Sequence, residues 1–503
     1  MPPHTRTRTG CWTCREAGYK CDEKKPHCER CTRLKIPCKG YAPKLKWRNT
    51  SGPPKRPRNG RSTSIEDQYA TSPKSVTSVS SAPATMKSQN ANSPQEWIYE
   101  VTLPLASMPN SIPDLPARDK RLLHYWNEKL SSLISVATRR SSPGPFRLHL
   151  TSLLYHPGSL RSTILSMSAN HLALASNDKS LKIDAYRHQQ DAIRSLQNLI
   201  QAQVESSLEP ALATVLMMQV SARLLGDEGA EPQVANHLIG AKAMISKRGG
   251  LAAWRSSPTA QFLLDLFAYH DILSSVSRGE RPLIEHSEEF TAIEGVVDMH
   301  GIAKVLRLVA RISHMQASAK SPVPDRSDDA PCFSRLQTEG LLIQKALEDL
   351  EFSDATLSIE NADDLSDIRH TAEAYRHAAF IYLYRVWLGF GAPNPTTLHH
   401  VQKSIAYILS VDISSPLVSS HIWPLWTAGC EAVDPEQRQY VRERFYNMYR
   451  TRMFSGLKRI VRDIEEVWSY KDTENLVSGL DGMAKVDCIQ VILKRRGREV
   501  DLA

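Results

Sequence analysis

From about Asp114 to the C-terminus, apolar residues recur at helical spacing. Leu122, Leu123, Trp126, Leu130, Leu133 and Ile134 share one stripe and predict a helix beginning near Asp119. The same period predicts helices over 160–176, 181–203, 211–225, 234–247 and 260–277. Pro210 suits the first turn of its helix, and Gly249-Gly250 suits a C-terminal stop. Alternating β-branched runs, the mark of a sheet, do not occur. "YRHAAFIYLYRVW" and "HIWPLWTAGCEAV" look like buried helices, so 113–503 is predicted to be one large all-α domain.

The periodicity stops upstream. Residues 40–112 are dominated by Ser, Thr, Pro, Ala and Asn, a composition that cannot bury enough surface to fold alone, and are expected to form a disordered linker. Its beginning, "KLKWRNTSGPPKRPRNGR", carries Lys44, Lys46, Arg48, Lys55, Arg56, Arg58 and Arg61. Such a run suits nuclear import, a phosphate-following extension, or both, with a merely solubilising linker as the plain alternative. Ser72-Pro73 and Ser93-Pro94 are weak phosphorylation candidates. No apolar heptads occur between residues 40 and 95, so any dimerisation falls to the C-terminal domain.

Charge changes the picture at the N-terminus. The 503 residues carry a net +9, but residues 1–62 hold 17 Lys and Arg against 4 Asp and Glu. The remaining chain has 46 against 50, so a polyanion-binding head precedes a near-neutral body. "MPPHTRTRTG" has no apolar core of a secretory signal. The longest apolar stretch, Leu212 to Leu225, is interrupted by Gln219 and Arg223 and suits a buried helix better than a membrane span. The chain is therefore expected to be intracellular, soluble and away from membranes, where clustered cysteines favour metal over disulfides.

Six of the nine cysteines lie in "CWTCREAGYKCDEKKPHCERCTRLKIPC", as Cys11-x2-Cys14-x6-Cys21 and, 17 residues on, Cys28-x2-Cys31-x6-Cys38. A Cys-x2-Cys pair can bite one metal ion from a tight turn, and the third cysteine can return to it after a short helix. One triplet supplies three thiolates where tetrahedral Zn²⁺ takes four. Two triplets suffice for two ions if two sulfurs bridge. A disulfide framework, an iron–sulfur site and a single four-cysteine zinc site with two spare thiols are the alternatives; the compartment, the symmetric spacing and the basic flanks count against them.

With Pro26 between the repeats and basic residues after the second cysteine, this motif resembles the fungal binuclear zinc cluster transcription factors. The resemblance implies two Zn²⁺ ions, with Cys11 and Cys28 bridging, Cys14 and Cys21 completing one site, and Cys31 and Cys38 the other. It also implies a DNA-binding domain over 11–39 whose first helix enters the major groove. Arg15 and Lys20 then stand where the family carries phosphate-contacting residues, while Arg6 and Arg8, in a flexible arm over 1–10, and Lys24 and Lys25, before Pro26, are further candidates. Relatives usually place basic guanine donors at the end of this helix, where this chain has Ala17 and Gly18. Gly18 suits a helix C-cap and also lets the backbone approach the bases closely, so a reading by backbone and Tyr19, with altered preference for the family's CGG triplets, is expected. Trp12 and Tyr19 also suit packing against the cluster or a sugar.

"FRLHLTSLLYHPGSLRSTILSMSANHLAL", "FLLDLFAYHDILSSVS", "AYRHAAFIYLYRVWL" and "IWPLWTAGCEAVDPEQRQYVRERF" in turn resemble the fungal-specific regulatory domain that follows this cluster in one branch of the family. Together the two resemblances imply a nuclear, sequence-specific regulator of RNA polymerase II transcription. Its partners would be double-stranded DNA, the transcription machinery, a second copy through the helical domain, and an unknown small-molecule effector. The rival is a zinc module that binds protein or RNA without sequence-specific DNA recognition. No metalloprotease, nucleophile-elbow, phosphate-loop or dinucleotide motif occurs, and the chain is expected not to be an enzyme. His270-Asp271 and His399-His400 suit surface or satisfied core histidines, and Cys332, Cys430 and Cys488 structural or incidental thiols.

Overall fold

Short capping motifs delimit the helices of the larger unit. Ser257, Asn394 and Asp434 each precede a proline, and their side chains accept the amide hydrogens of Ala260, Thr396 and Glu436. Asn177, Gly279 and Gly497 close their helices in the left-handed region, at φ of 55°, 64° and 63°. This computed structural model describes residues 11, 13–14, 17, 19–24, 27–38, 115–135, 144–202, 208–226, 234–254, 257–284, 300–320, 332–352, 362–500 and 502. The basic arm over 1–10 and the linker expected over 40–112 lie outside them, as do the serine-proline pairs.

The chain divides into two units, Met1–Gln89 and Asn90–Ala503. The first contains α1 (Glu29–Arg33). The second begins with α2 (Ala117–Tyr125), a π-turn (Trp126–Leu130), α3 (Ser131–Leu133), α4 (Pro145–Leu154), α5 (Ser159–Ser176) and α6 (Lys179–Ala202). Then come α7 (Leu208–Leu225), α8 (Val234–Lys247), α9 (Pro258–Arg278), α10 (His300–Lys320), α11 (Cys332–Glu348) and α12 (Ala362–Trp387). The last are α13 (Pro395–Ser410), α14 (Ile422–Cys430), α15 (Pro435–Arg452), α16 (Gly456–Ala484) and α17 (Cys488–Arg496). The described residues contain no strand, in keeping with the all-α expectation.

The periodic stripes locate these helices to within a few residues, with one difference. The stripe from Leu122 to Ile134 is not a single α-helix, because Trp126–Leu130 forms a π-turn. Trp126, Leu130 and Ile134 are spaced by four, and four-residue steps drift off one face of a regular helix. The wider turn takes up the extra length, and all three side chains stay buried. α7 is long and apolar enough to cross a membrane, but most of it is buried inside the protein, where it packs on α5, α8 and α9.

One apolar core runs from Leu122 to Leu502. α5 packs on α6 and α7, while α12 is central to a second group with α10, α11, α13 and α14. Buried arginines join the early helices to the late ones. Arg459 of α16 donates to the carbonyls of Arg223 (2.8 Å) and Gly226 (2.9 Å), satisfying groups that the end of α7 leaves open and placing a cation at a helix C-terminus. Gly456 makes that approach possible, since a Cβ there would stand 2.2 Å from the Arg223 carbonyl oxygen.

A second tie centres on Glu431, just after α14. Its carboxylate accepts from Arg385 and Lys471 and, at 2.9 Å, from the Ala392 amide. Burial pushes this carboxyl up, but Arg385 and Lys471 more than offset that and hold it at about 2. Cys430 and Cys488, far apart in sequence, converge here, with Cys488 Sγ 3.5 Å from Glu431 Oε1. Because the carboxyl is depressed, its stabilisation is complete above the ordinary glutamate range near 4.5 and is lost as pH falls toward about 2. Glu431→Gln strands two buried cations and is expected to cost about 3–5 kcal/mol in denaturant unfolding. It should also flatten the acid limb of the stability curve; an unchanged midpoint would show that the tie is idle.

Candidate metal centre and nucleic-acid interface

The N-terminal unit has a core made of sulfur. Cys11, Cys14, Cys21, Cys28 and Cys31 are buried with Cys38 packed against them, and no other apolar residue joins the cluster among the described residues. Tyr19 (61 % exposed), Leu34 (49 %) and Ile36 (37 %) face outward instead. A module this small that leaves its large apolar side chains in water needs another source of folding free energy.

The 17-residue repeat reappears as repeated geometry. The Cys14 amide points at Cys11 Sγ (3.5 Å) and the Cys31 amide at Cys28 Sγ (3.4 Å), so each Cys-x2-Cys turn presents its first sulfur in the same way. Each turn then closes with an amide donating back across five residues, Tyr19 to the Cys14 carbonyl (2.9 Å) and Ile36 to the Cys31 carbonyl (3.1 Å). That bond marks a Schellman-type helix end, which needs a left-handed residue just before the donor. In the second repeat Lys35 fills that place at φ 49°. Thr13 Oγ1 donates to the Pro37 carbonyl at 2.9 Å and ties the two repeats together.

The sulfurs fall into two overlapping sets of four. Cys11, Cys14, Cys21 and Cys28 form one, and Cys11, Cys28, Cys31 and Cys38 the other, with the sulfurs of each set within 4.8 Å of one another. Cys11 and Cys28 belong to both sets, and their sulfurs are 3.6 Å apart. Two tetrahedral thiolate sites sharing an edge have this arrangement, so the donor set fits zinc. Burial pushes the Cys11 thiol up to about 12 and Cys28 higher still, so without a cation these thiols keep their protons. A bound divalent cation reverses that preference.

Of the residues expected to meet DNA, Lys20 is exposed and Tyr19 lies under Arg30, whose guanidinium carbon is 3.9 Å from the ring centroid. Lys24 is paired with Glu29 at 2.6 Å on the exposed surface, which raises the lysine's pKa. Arg6, Arg8, Trp12, Arg15, Gly18 and Lys25 lie outside the described residues. Arg30 was not singled out from sequence. Its Nη1 lies 3.8 Å from Cys14 Sγ, so it offsets cluster charge while holding Tyr19. A cation between the two cysteines of the second pair, beside a thiolate-rich centre, is the signal that points to it.

Of the other candidates, the Cys332 side chain lies outside the described residues, while the paired histidines are held among their neighbours. Asp271 accepts the amides of Leu283 (2.8 Å) and Ile284 (3.1 Å), and burial pushes His270 down to about 3. His400 pairs with His377 through their Nδ1 atoms at 2.8 Å, and burial holds both in the neutral form. A cavity of about 470 Å³ between α15 and α16 is lined by Tyr446, Tyr449, Phe445 and Leu457 with Arg442 and Lys458, and no histidine or cysteine lines it.

The comparisons agree with this geometry. The fungal specific transcription factor domain matches residues 121–502, and the fungal Zn(2)-Cys(6) binuclear cluster domain matches residues 9–48. The pestheic acid cluster transcriptional regulator 3 of Pestalotiopsis fici is 22 % identical, over 94 % of this chain and 96 % of its own. The phomenoic acid biosynthesis cluster-specific transcriptional regulator of Leptosphaeria maculans is also 22 % identical, over 88 % of this chain and 82 % of its own. The arginine metabolism regulation protein II of Saccharomyces cerevisiae is 55 % identical over 42 residues, 8 % of this chain and 5 % of its own. No solved structure matches the chain.

Since the thiols are held protonated, zinc uptake is expected to release protons and to weaken as pH falls. Titration with zinc in two buffers of different ionisation enthalpy measures the release. Chelation should then unfold the N-terminal unit while the far-ultraviolet signal of the helical unit persists.

Proposed function

The chain belongs to the fungal specific transcription factor family, carries a zinc-binding Zn(2)-Cys(6) cluster domain, and is a DNA-binding transcription regulator; from that premise we propose how its head holds metal and meets DNA. Two zinc ions occupy the two sulfur sets. Cys11 and Cys28 bridge them, Cys14 and Cys21 complete one tetrahedron, and Cys31 and Cys38 complete the other. The membership of Cys11 and Cys28 in both sets carries this reading. Zinc supplies the folding free energy that the head's apolar residues do not, on the order of 10 kcal/mol in modules of this size.

The domain plan we propose is a basic arm over 1–10, the cluster domain over 11–39, the linker over 40–112 and the regulatory domain over 113–503. Arg15 and Lys20 contact phosphates, with Arg6, Arg8, Lys24 and Lys25 adding charge along the backbone. The Lys24–Glu29 pair is exposed and holds that lysine only weakly. The Tyr19 amide returns to the Cys14 carbonyl as the Ile36 amide does to that of Cys31, and glycine, the residue type at position 18, is the one that lets a chain pass close to the base edges. Tyr19, steadied by Arg30, projects beside it and replaces part of the lysine-to-guanine reading found in relatives.

Family membership implies a nuclear location, and the basic run from Lys44 to Arg61 is the import signal we propose. Two relatives that align along most of the chain are named as regulators of a pestheic acid cluster and of a phomenoic acid biosynthesis cluster, and a biosynthetic gene cluster is the target class we propose. The helical domain pairs two copies and engages the transcription machinery, without a catalytic role. The cavity between α15 and α16 has the size of a small-molecule effector site.

Bridging sulfurs serve both metals, so Cys28→Ser is expected to lose both zinc ions where Cys14→Ser loses one. Metal analysis of the purified variants decides it, and two ions retained by Cys28→Ser would remove the bridging assignment. For DNA, selection from random duplexes with the full zinc-loaded chain tests the reading of Ala17 and Gly18. A weak or altered CGG preference is expected, and Gly18→Lys should raise CGG selectivity provided the lost cap costs no more than about 1 kcal/mol. In the same assay Lys20→Ala should weaken all sequences alike and make the log–log salt slope shallower by about 1. A strong CGG motif indifferent to positions 17 and 18 would count against backbone reading, and a Lys20→Ala loss confined to one base would make Lys20 a reader.

A further inference from the structure

Two histidine rings face each other across the joint between α12 and α13. His377 and His400 put their Nδ1 atoms 2.8 Å apart, and among the described residues each Nδ1 has only the other as a polar partner. At that distance one nitrogen carries a proton and the other a lone pair. His171 shows how a buried histidine is held elsewhere in this unit, fixed at both nitrogens by the Tyr125 hydroxyl and the Arg452 carbonyl. Packing locks the two facing rings instead. Tyr407 stacks on His377 with centroids 5.7 Å apart, and Phe380 stacks on His400 at 4.4 Å. A third imidazole stands beside them. The exposed His399 ring lies 5.3 Å from that of His400 and 6.4 Å from that of His377, while the facing pair is 5.1 Å apart at its centroids.

We propose that His377, His399 and His400 form a site for a divalent transition-metal ion, copper(II) or nickel(II), in the helical unit. The ion takes the place of the proton between His377 and His400. That proton moves to Nε2 of the ring that donated it, so each imidazole binds as a neutral ligand. With metal–imidazole bonds of about 2.0–2.1 Å, nitrogens 2.8 Å apart subtend about 85–90° at the ion. Square and octahedral ions take that angle, whereas tetrahedral zinc wants its nitrogens about 3.3 Å apart. Imidazoles on one ion stand about 4.5–6.5 Å apart at their centres, from neighbouring to opposite positions, and all three pairs fall within that span. His399 joins by turning its exposed side chain, and water fills the remaining positions. Arg376 and Lys403 are the cations that face His377. Arg376 is held by Glu373 at 2.7 Å and by the Leu350 carbonyl at 3.0 Å, and Lys403 is exposed, so neither occupies the ring nitrogens. With one ligand from α12 and two from α13, the ion clamps the joint between these helices.

The test is equilibrium dialysis of the full zinc-loaded chain against nickel chloride near neutral pH, with both metals counted. Nickel is the probe because, unlike copper(II), it does not oxidise the thiols of the head. One nickel ion per chain is expected, with the zinc retained, and X-ray absorption at the nickel edge should show imidazole ligands. His377→Asn and His400→Asn should each weaken uptake at least about tenfold. His399→Gln, which changes only an exposed side chain and so keeps the fold, should weaken it at least about threefold. His156→Gln, at an exposed histidine elsewhere, should leave it unchanged. No uptake, or uptake that all three site variants leave unmoved, would overturn the site; nickel entering the cysteines in place of zinc gives the second of these results. Further zinc bound as tightly as nickel, and lost with the same variants, would overturn the right-angle assignment.

Discussion

Thiolate–metal bonding is the interaction on which the N-terminal unit depends. Its described apolar side chains point into water, its core is sulfur, and its backbone turns aim amides at sulfur rather than at each other's carbonyls alone. Hydrophobic burial on the usual scale cannot balance the chain entropy of some thirty residues here. The same bonds set the position of the exposed residues Tyr19 and Lys20. The Tyr19 amide returns to the carbonyl of Cys14, which belongs to one of the sulfur sets. Folding, charge balance and the placing of Tyr19 and Lys20 are consequences of one centre.

The helical unit rests on different physics. Its core is long and continuous, and burial of carbon supplies most of its stability. Buried charges add specific ties between its helices, of which the Arg459 contact joins an early helix to a late one. Arg459 takes the open carbonyls at the end of α7, Arg452 donates to the Ser415 carbonyl at 2.7 Å, and Glu431 gathers Arg385, Lys471 and the Ala392 amide. Such groups are costly to bury alone and tolerable only when every partner is present, so they specify one arrangement of helices over its near alternatives.

The division between what the sequence determined and what only tertiary structure decided follows the range of the interactions. Cysteine spacing, the 17-residue repeat, the charge asymmetry and the 3.6-residue stripes are local, and from them the zinc-binding head, the helical body and the regulator family could be read directly. Gly249-Gly250 and the boundaries of α8 were legible for the same reason: caps act within one turn. The π-turn at Trp126 was not, because only the core decides that Trp126, Leu130 and Ile134 must all face inward. Nor was the meeting of Cys430 with Cys488, 58 residues apart, around Glu431. The exposed stripe of α6 needed the structure most. In sequence Ile183, Ile193 and Ile200 are indistinguishable from core residues, and only the packing of Ala185, His188 and Ala192 on the other face shows which stripe the domain has spent and which it leaves to solvent.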